Sequence, residues 1–178
     1  TYANSILPEA LLFTYLITGQ EKSKEIAVQS MNFLIEKMFV DGEFKIISND
    51  GWYEKGVTPN SFGEQPIEAC YMMHTLDLFY KTFGNTAYKV NMKKAFDWFL
   101  GRNHLGHIMY NPITGGCYDG LEENNVNLNQ GAESTVCYLS ARLLIESYTS
   151  TGKNSALSNA VKIDKFNIPL SNFPEIPN

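Results

Sequence analysis

The sequence predicts an all-α fold, part of an (α/α) helical-hairpin toroid, and three observations lead there. Apolar residues recur at helical spacing along five segments. Segments with little polar face alternate with segments that are apolar on one side only. The starts of the former fall at Pro8, Pro66 and Gly131, an interval of roughly 60 residues, which suits a two-helix repeat with its loop. Concentric rings require this alternation, because an inner helix packs on all sides and an outer one is wetted on one.

Composition bounds the rest. The chain has 178 residues, enough for one domain with a core; 44% are hydrophobic and 19% charged, which excludes a disordered chain. No apolar run reaches the roughly 18 residues of a membrane span, so no membrane partner is expected. A net charge of −5 with scattered Lys and Arg offers no basic field for nucleic acid. Cys70, Cys117 and Cys137 are odd in number and lack zinc-ribbon spacing, so they read as reduced thiols of a cytoplasmic protein. Thr1 is neither an initiator Met nor the start of a signal peptide, so residues upstream are expected.

The elements follow in order. Leu7 to Leu16 is the first helix, with Pro8 in its first turn and Gly19 as its C-cap. Lys22 to Val40 is an amphipathic outer helix with Ala27, Met31, Leu34, Ile35 and Met38 on one face. Asp41 to Gly63 reads as a short hairpin or long loop, with its turn signal at Asn49-Asp50-Gly51. Pro66 opens a helix buried on most sides and ended by Gly84; Thr86 to Leu100 is its amphipathic partner. Arg102 to Gln130 is a polar loop too long for a plain connection, hence the first place to look for function. Gly131 to about Tyr148 is the fifth helix, with Val136, Cys137, Leu139, Leu143 and Leu144 as its apolar residues. The predicted organisation is a partial toroid domain over 1–152 and an extended, proline-containing tail over 153–178.

Loops leading into the inner helices gather at one mouth, where Glu64, Glu68 and Glu133 place carboxylates near helix N-termini. Glu64-Gln65-Pro66, the run Trp98 to His104, Tyr110-Asn111-Pro112, the run Gly115 to Leu121 and the run Asn127 to Thr135 resemble the C-terminal half of bacterial six-hairpin, glycosidase-like (α/α) toroid proteins. The resemblance covers most of residues 1–150 and implies sugar chemistry in a central cavity. Five helices are about half of six hairpins. The resemblance therefore also implies that either a second copy or a missing N-terminal half of the same polypeptide completes the ring.

Asp119, in a glycine-flanked turn, and Glu133, at a helix start, are the candidate catalytic pair, since glycoside hydrolysis uses one carboxylic acid and one carboxylate. Their structural alternatives are turn stabilisation and helix capping. Glu64, Gln65, His104, His107, Tyr110, Tyr118, Glu122, Asn127, Asn129 and Gln130 are candidate substrate-binding residues. Amides and carboxylates match sugar hydroxyls, which both donate and accept, and tyrosines offer flat faces to pyranose rings. His74 reads as a core histidine donating to a carbonyl, and Cys117 as a weak zinc ligand or nucleophile. No phosphate loop, dinucleotide fingerprint or Ser-His-Asp spacing is present, and neither cofactor nor metal is expected. Three functions follow: a glycoside hydrolase-like enzyme acting on a sugar or oligosaccharide, an N-acylglucosamine 2-epimerase-like isomerase using His104 or His107, and a non-catalytic carbohydrate-binding or accessory domain.

Overall fold

A computed structural model describes residues 2–51 and 53–150. The chain divides into two compact units, Thr1–Glu146 and Ser147–Asn178. The expected domain boundary after residue 152 and the tail 153–178 lie outside the described residues.

The described residues are mostly helical and form five helices and two small antiparallel sheets: α1 (Ile6–Thr18), α2 (Glu21–Met38), β1 (Phe39–Val40), β2 (Glu43–Phe44), α3 (Pro66–Phe83), α4 (Thr86–Phe99), β3 (Gly120–Leu121), β4 (Val126–Asn127) and α5 (Ala132–Ser150). Pro66 occupies the first turn of α3, where its missing N–H costs nothing. Asn85 starts α4 by accepting the Ala87 N–H at 3.0 Å. Among the described residues no helix is long and apolar enough to cross a membrane.

The first hairpin is displaced from its expected turn. It reverses at Asp41-Gly42, with φ of 51° and 86°, rather than at Asn49-Asp50-Gly51. Two successive positive φ angles match the twist of a two-residue hairpin, and Asp followed by Gly tolerates them best. Asn49 and Asp50 instead sit in the loop leading to α3, where Asn49 donates its main-chain N–H to the Gly63 carbonyl at 2.9 Å.

α1 packs on α2 and α3, and α3 packs on α4. Side-chain contacts order α1, α3 and α5 as parallel neighbours. Asn4 meets Glu68 and Glu9 meets Thr75 on one side of α3; Cys70 meets Cys137 and His74 meets Ser140 on the other. The main core lies between α3 and α4, where Met72, Met73, Leu76, Phe79, Met92, Trp98 and Phe99 are fully buried. Aromatic edges interlock there: Phe79 against Tyr88 at 5.5 Å and Trp98 against Phe99 at 5.2 Å between ring centroids.

The two flanking helices of the row depart from the expected inner-helix burial. On α1, Leu7 is 67% and Ile17 80% exposed, and only Ser5, Pro8 and Leu12 at its start and middle are buried. On α5 the buried face is Ser134, Cys137, Tyr138 and Ala141, whereas Val136, Leu139 and Leu143 point outward. The physical reason is position: among the described residues only α3 has a parallel neighbour on both sides. Helical spacing marks which residues are apolar, not which of two apolar faces finds a partner.

This difference has a measurable consequence. Leu76→Ala removes a fully buried side chain and is expected to cost about 2–5 kcal/mol, whereas Ile17→Ala is expected to stay within about 0.5 kcal/mol. Chemical denaturation of the two variants checks it. A loss at Ile17 comparable to that at Leu76 would show that the outer face of α1 is covered.

Candidate functional site

Because α1, α3 and α5 run parallel, their N-termini and the loops that precede them collect at one end. Helix N-termini carry unpaired N–H groups and a partial positive charge, so carboxylates are favoured there. Among the carboxylates that the sequence supplies there are Glu64, Glu68, Asp119 and Glu133.

Glu64 is the deepest, at 1% exposure. Its main chain pairs with Leu121 in both directions, at 2.9 and 2.8 Å, which fixes β3 against the start of α3. Its carboxylate accepts the Trp98 indole N–H at 2.7 Å, pairs with the Lys45 ammonium and faces His104 Nδ1 at 3.4 Å. The other ring nitrogen of His104 lies 2.8 Å from the Glu122 carbonyl oxygen, and the ring rests on Phe62 at 5.0 Å.

Asp119 precedes β3. Its main-chain N–H points at the carbonyls of Asn129 (2.9 Å) and Asn127 (3.2 Å), and its Oδ1 accepts the Gly131 N–H at 2.8 Å, directly before α5. A Cβ on residue 131 would sit 2.9 Å from that oxygen, so glycine is what allows the approach. Glu133, in the first turn of α5 and exposed, accepts the Tyr2 hydroxyl at 2.6 Å. Asp119 and Glu133 line one open depression of about 380 Å³ together with Asn49, Gln65, Glu122, Asn127 and Ser134. Three carboxylates and three amides thus face a single space, and among the described residues no Lys, Arg or His lines it.

Glu68 lies one turn into α3 at 3% exposure. Its Oε2 accepts from the Asn4 main-chain N–H (3.3 Å) and side-chain amide (3.1 Å), whereas Oε1 has no partner among the described residues. Burial pushes its carboxyl above the usual range, against the opposing pull of the Asn4 donors. Gln65 Oε1 and Ser5 Oγ are likewise buried without partners at this end of the helices.

Of the candidate residues, the fold brings Asp119, Glu133, Gln65, Glu122 and Asn127 to the shared depression. Glu64 and His104 belong to the adjoining ion cluster. His107, Tyr110, Tyr118, Asn129 and Gln130 do not line the depression. Tyr110 stacks on Tyr138 at 4.9 Å with 8° between planes, Tyr118 lies beside His107 at 5.9 Å, and Gln130 accepts the Thr114 hydroxyl. His74 Nε2 meets the Ser140 hydroxyl at 2.8 Å rather than a carbonyl, and burial lowers its pKa. Cys117 is fully buried, its thiol pushed up to about 12 by burial, which leaves no thiolate for attack at neutral pH. Among the described residues no group of three or more His, Cys, Asp and Glu side chains is placed to hold a metal ion.

Sequence reading missed Tyr2, Asn4, Lys45 and Asn49. Tyr2 and Glu133 are 131 residues apart, a separation no local pattern reveals. The run containing Trp98 was marked by resemblance, but not as a partner of Glu64.

No family model matches the chain and no curated protein matches it, so the reading of this site rests on its geometry. The geometry has a pH signature. A carboxyl whose folded pKa is raised stabilises the fold fully only below its unfolded pKa of 4.5, and that contribution is lost as pH rises through the folded value. Glu68→Gln removes the cost of burying the charge while keeping an acceptor for Asn4. The variant is expected to be more stable than the parent at pH 7, with the advantage fading as pH falls to about 4. Thermal melts of both proteins across this range check it; a variant less stable at pH 7 would mean that the ionised group is favourably held.

Proposed function

We propose that this chain is part of a helical-hairpin toroid that binds a sugar or oligosaccharide at the shared N-terminal end of α1, α3 and α5. Asp119 and Glu133 would act as the paired carboxylates of a glycoside hydrolase-like enzyme. The observation that carries the reading is that these two residues, 14 apart in sequence and on different elements, line one open depression with Gln65, Glu122 and Asn127. In such chemistry one carboxylic acid protonates the glycosidic oxygen while the other carboxylate activates water or attacks the anomeric carbon. The amides supply the paired donors and acceptors that sugar hydroxyls require.

The parallel row α1, α3, α5 backed by α2 and α4 supports the toroid. So do the outward apolar residues of α1 and α5, which further hairpins, from the same polypeptide or a second copy, would cover. All three cysteines are free thiols, which suits a cytoplasmic setting. A second reading, a non-catalytic carbohydrate-binding domain, is favoured by one observation: both carboxylates already accept donors from the protein, the Gly131 amide and the Tyr2 hydroxyl.

Release of new reducing ends from a panel of oligosaccharides tests the first reading. Asp119→Asn and Glu133→Gln are each expected to lower turnover by about 10²–10⁴-fold with binding retained, as for loss of an acid or base. Saturable binding without turnover that persists in Asp119→Asn would establish the second reading instead.

A further inference from the structure

The segment ahead of α1 crosses the N-terminal end of α3 and touches both of its neighbours' carboxylates. Tyr2 donates to Glu133 on α5 at 2.6 Å, and Asn4 donates twice to Glu68 on α3. Between them Ala3 has φ of 50°, a left-handed conformation that a residue with a Cβ adopts at a cost. Strain of this kind persists only where surrounding contacts hold it, and it collects at functional sites. The contacts here are the hydrogen bonds on either side of Ala3 and the Ile6 N–H donated to the Ala3 carbonyl at 3.1 Å.

We propose that residues 2–4 form a strap in which Tyr2 is a positioning residue that holds Glu133 as the proton acceptor of the site. This inference rests on the hydrolase reading given above. A phenol donates one proton and competes for no other, so it orients one carboxylate oxygen and leaves the second free. Glu133 is exposed, and its first-turn position on α5 alone would leave several rotamers open. In the reaction, water loses a proton to Glu133 as its oxygen bonds to the anomeric carbon. The glycosidic C–O bond breaks, and the proton carried by Asp119 passes to the leaving oxygen. Solvent then returns one proton to Asp119 and takes one from Glu133, restoring both groups. The contact is mutual: accepting this hydroxyl, Glu133 raises the Tyr2 phenol to about 12.

Two measurements on the intact chain test the strap. Carbon-13 NMR of ζ-labelled tyrosine is expected to find one phenol titrating near 12 that is absent in Tyr2→Phe, and that returns toward the ordinary ~10 in Glu133→Gln. With a hydrolysed oligosaccharide, Tyr2→Phe is expected to lower kcat about tenfold, leave KM within about twofold and move the acidic limb of the pH profile upward. A merely structural tyrosine would lower the folded fraction without moving that limb. Tyr2 titrating near ~10 in the parent, or an unchanged profile in Tyr2→Phe, would overturn the strap and leave the hydrolase reading standing. A parent that turns over no sugar would overturn that reading and the catalytic role of the strap with it, while the titration still decides the contact.

Discussion

The buried residue Glu64 joins three stretches of the chain that are distant in sequence: Lys45, the run from Trp98 to His104, and β3. Its backbone holds β3, and its side chain takes the indole N–H of Trp98 from the end of α4 and the ammonium of Lys45 beyond β2. It also faces the imidazole of His104 from the loop after α4 at 3.4 Å. A charge taken out of water costs several kcal/mol unless it is paired and hydrogen-bonded, and two donors, the indole N–H and the ammonium, converge here to meet that demand. The polar loop can therefore run over the ends of the helices without its own hydrophobic core. Each of its anchors is tied to a residue already fixed by the start of α3. Removing the carboxylate would leave a buried indole N–H and a half-buried cation without acceptors, so the cluster holds as a unit or not at all.

From that clamp the depression follows. Glu64 sets the height of Gly120 and Leu121 against α3, and this places Asp119, one residue earlier, above the start of α5. Gly131 lets the Asp119 oxygen reach its amide, so the same contact ends the loop and begins the helix. The parallel run of α1, α3 and α5 then makes the position of Glu133 a matter of helix phase. Asp119 and Glu133 thus come to line one depression through two successive constraints, the Glu64 pairing with β3 and the Asp119–Gly131 contact.

Much of the secondary structure was legible because helices are written locally. The spacing of Met72, Met73, Leu76 and Phe79, bracketed by Pro66 and Gly84, leaves α3 little alternative. The turn at Asp41-Gly42 was equally local but lost to the stronger-looking Asn49-Asp50-Gly51, whose residues are used in a loop hydrogen-bonded to Gly63. Glu64 was chosen from its place at a helix start, which says that a carboxylate is welcome there and not what it will bind. Its partners Lys45 and Trp98 lie 19 and 34 residues away on either side. The same limit explains the tyrosines: Tyr110 and Tyr118 were legible as flat surfaces, and only the fold shows that one is stacked on Tyr138 and the other set beside His107.

The two ends of the helix row are built to different standards. Where α3 packs on α4, large side chains are fully buried. At the N-terminal end, Ser5, Gln65 and Glu68 each bury a polar atom without a partner among the described residues, Ala3 is left-handed, and three carboxylates line one depression that no described cation lines. Each orphaned group costs about 1–3 kcal/mol, and natural proteins keep few of them. These groups concentrate at the end where the helix N-termini and the long loop meet. Local rules of stability are most often broken where a protein has something else to do; of these breaks Gln65 lines the depression, and Ser5, Glu68 and Ala3 lie at the same helix end outside its lining.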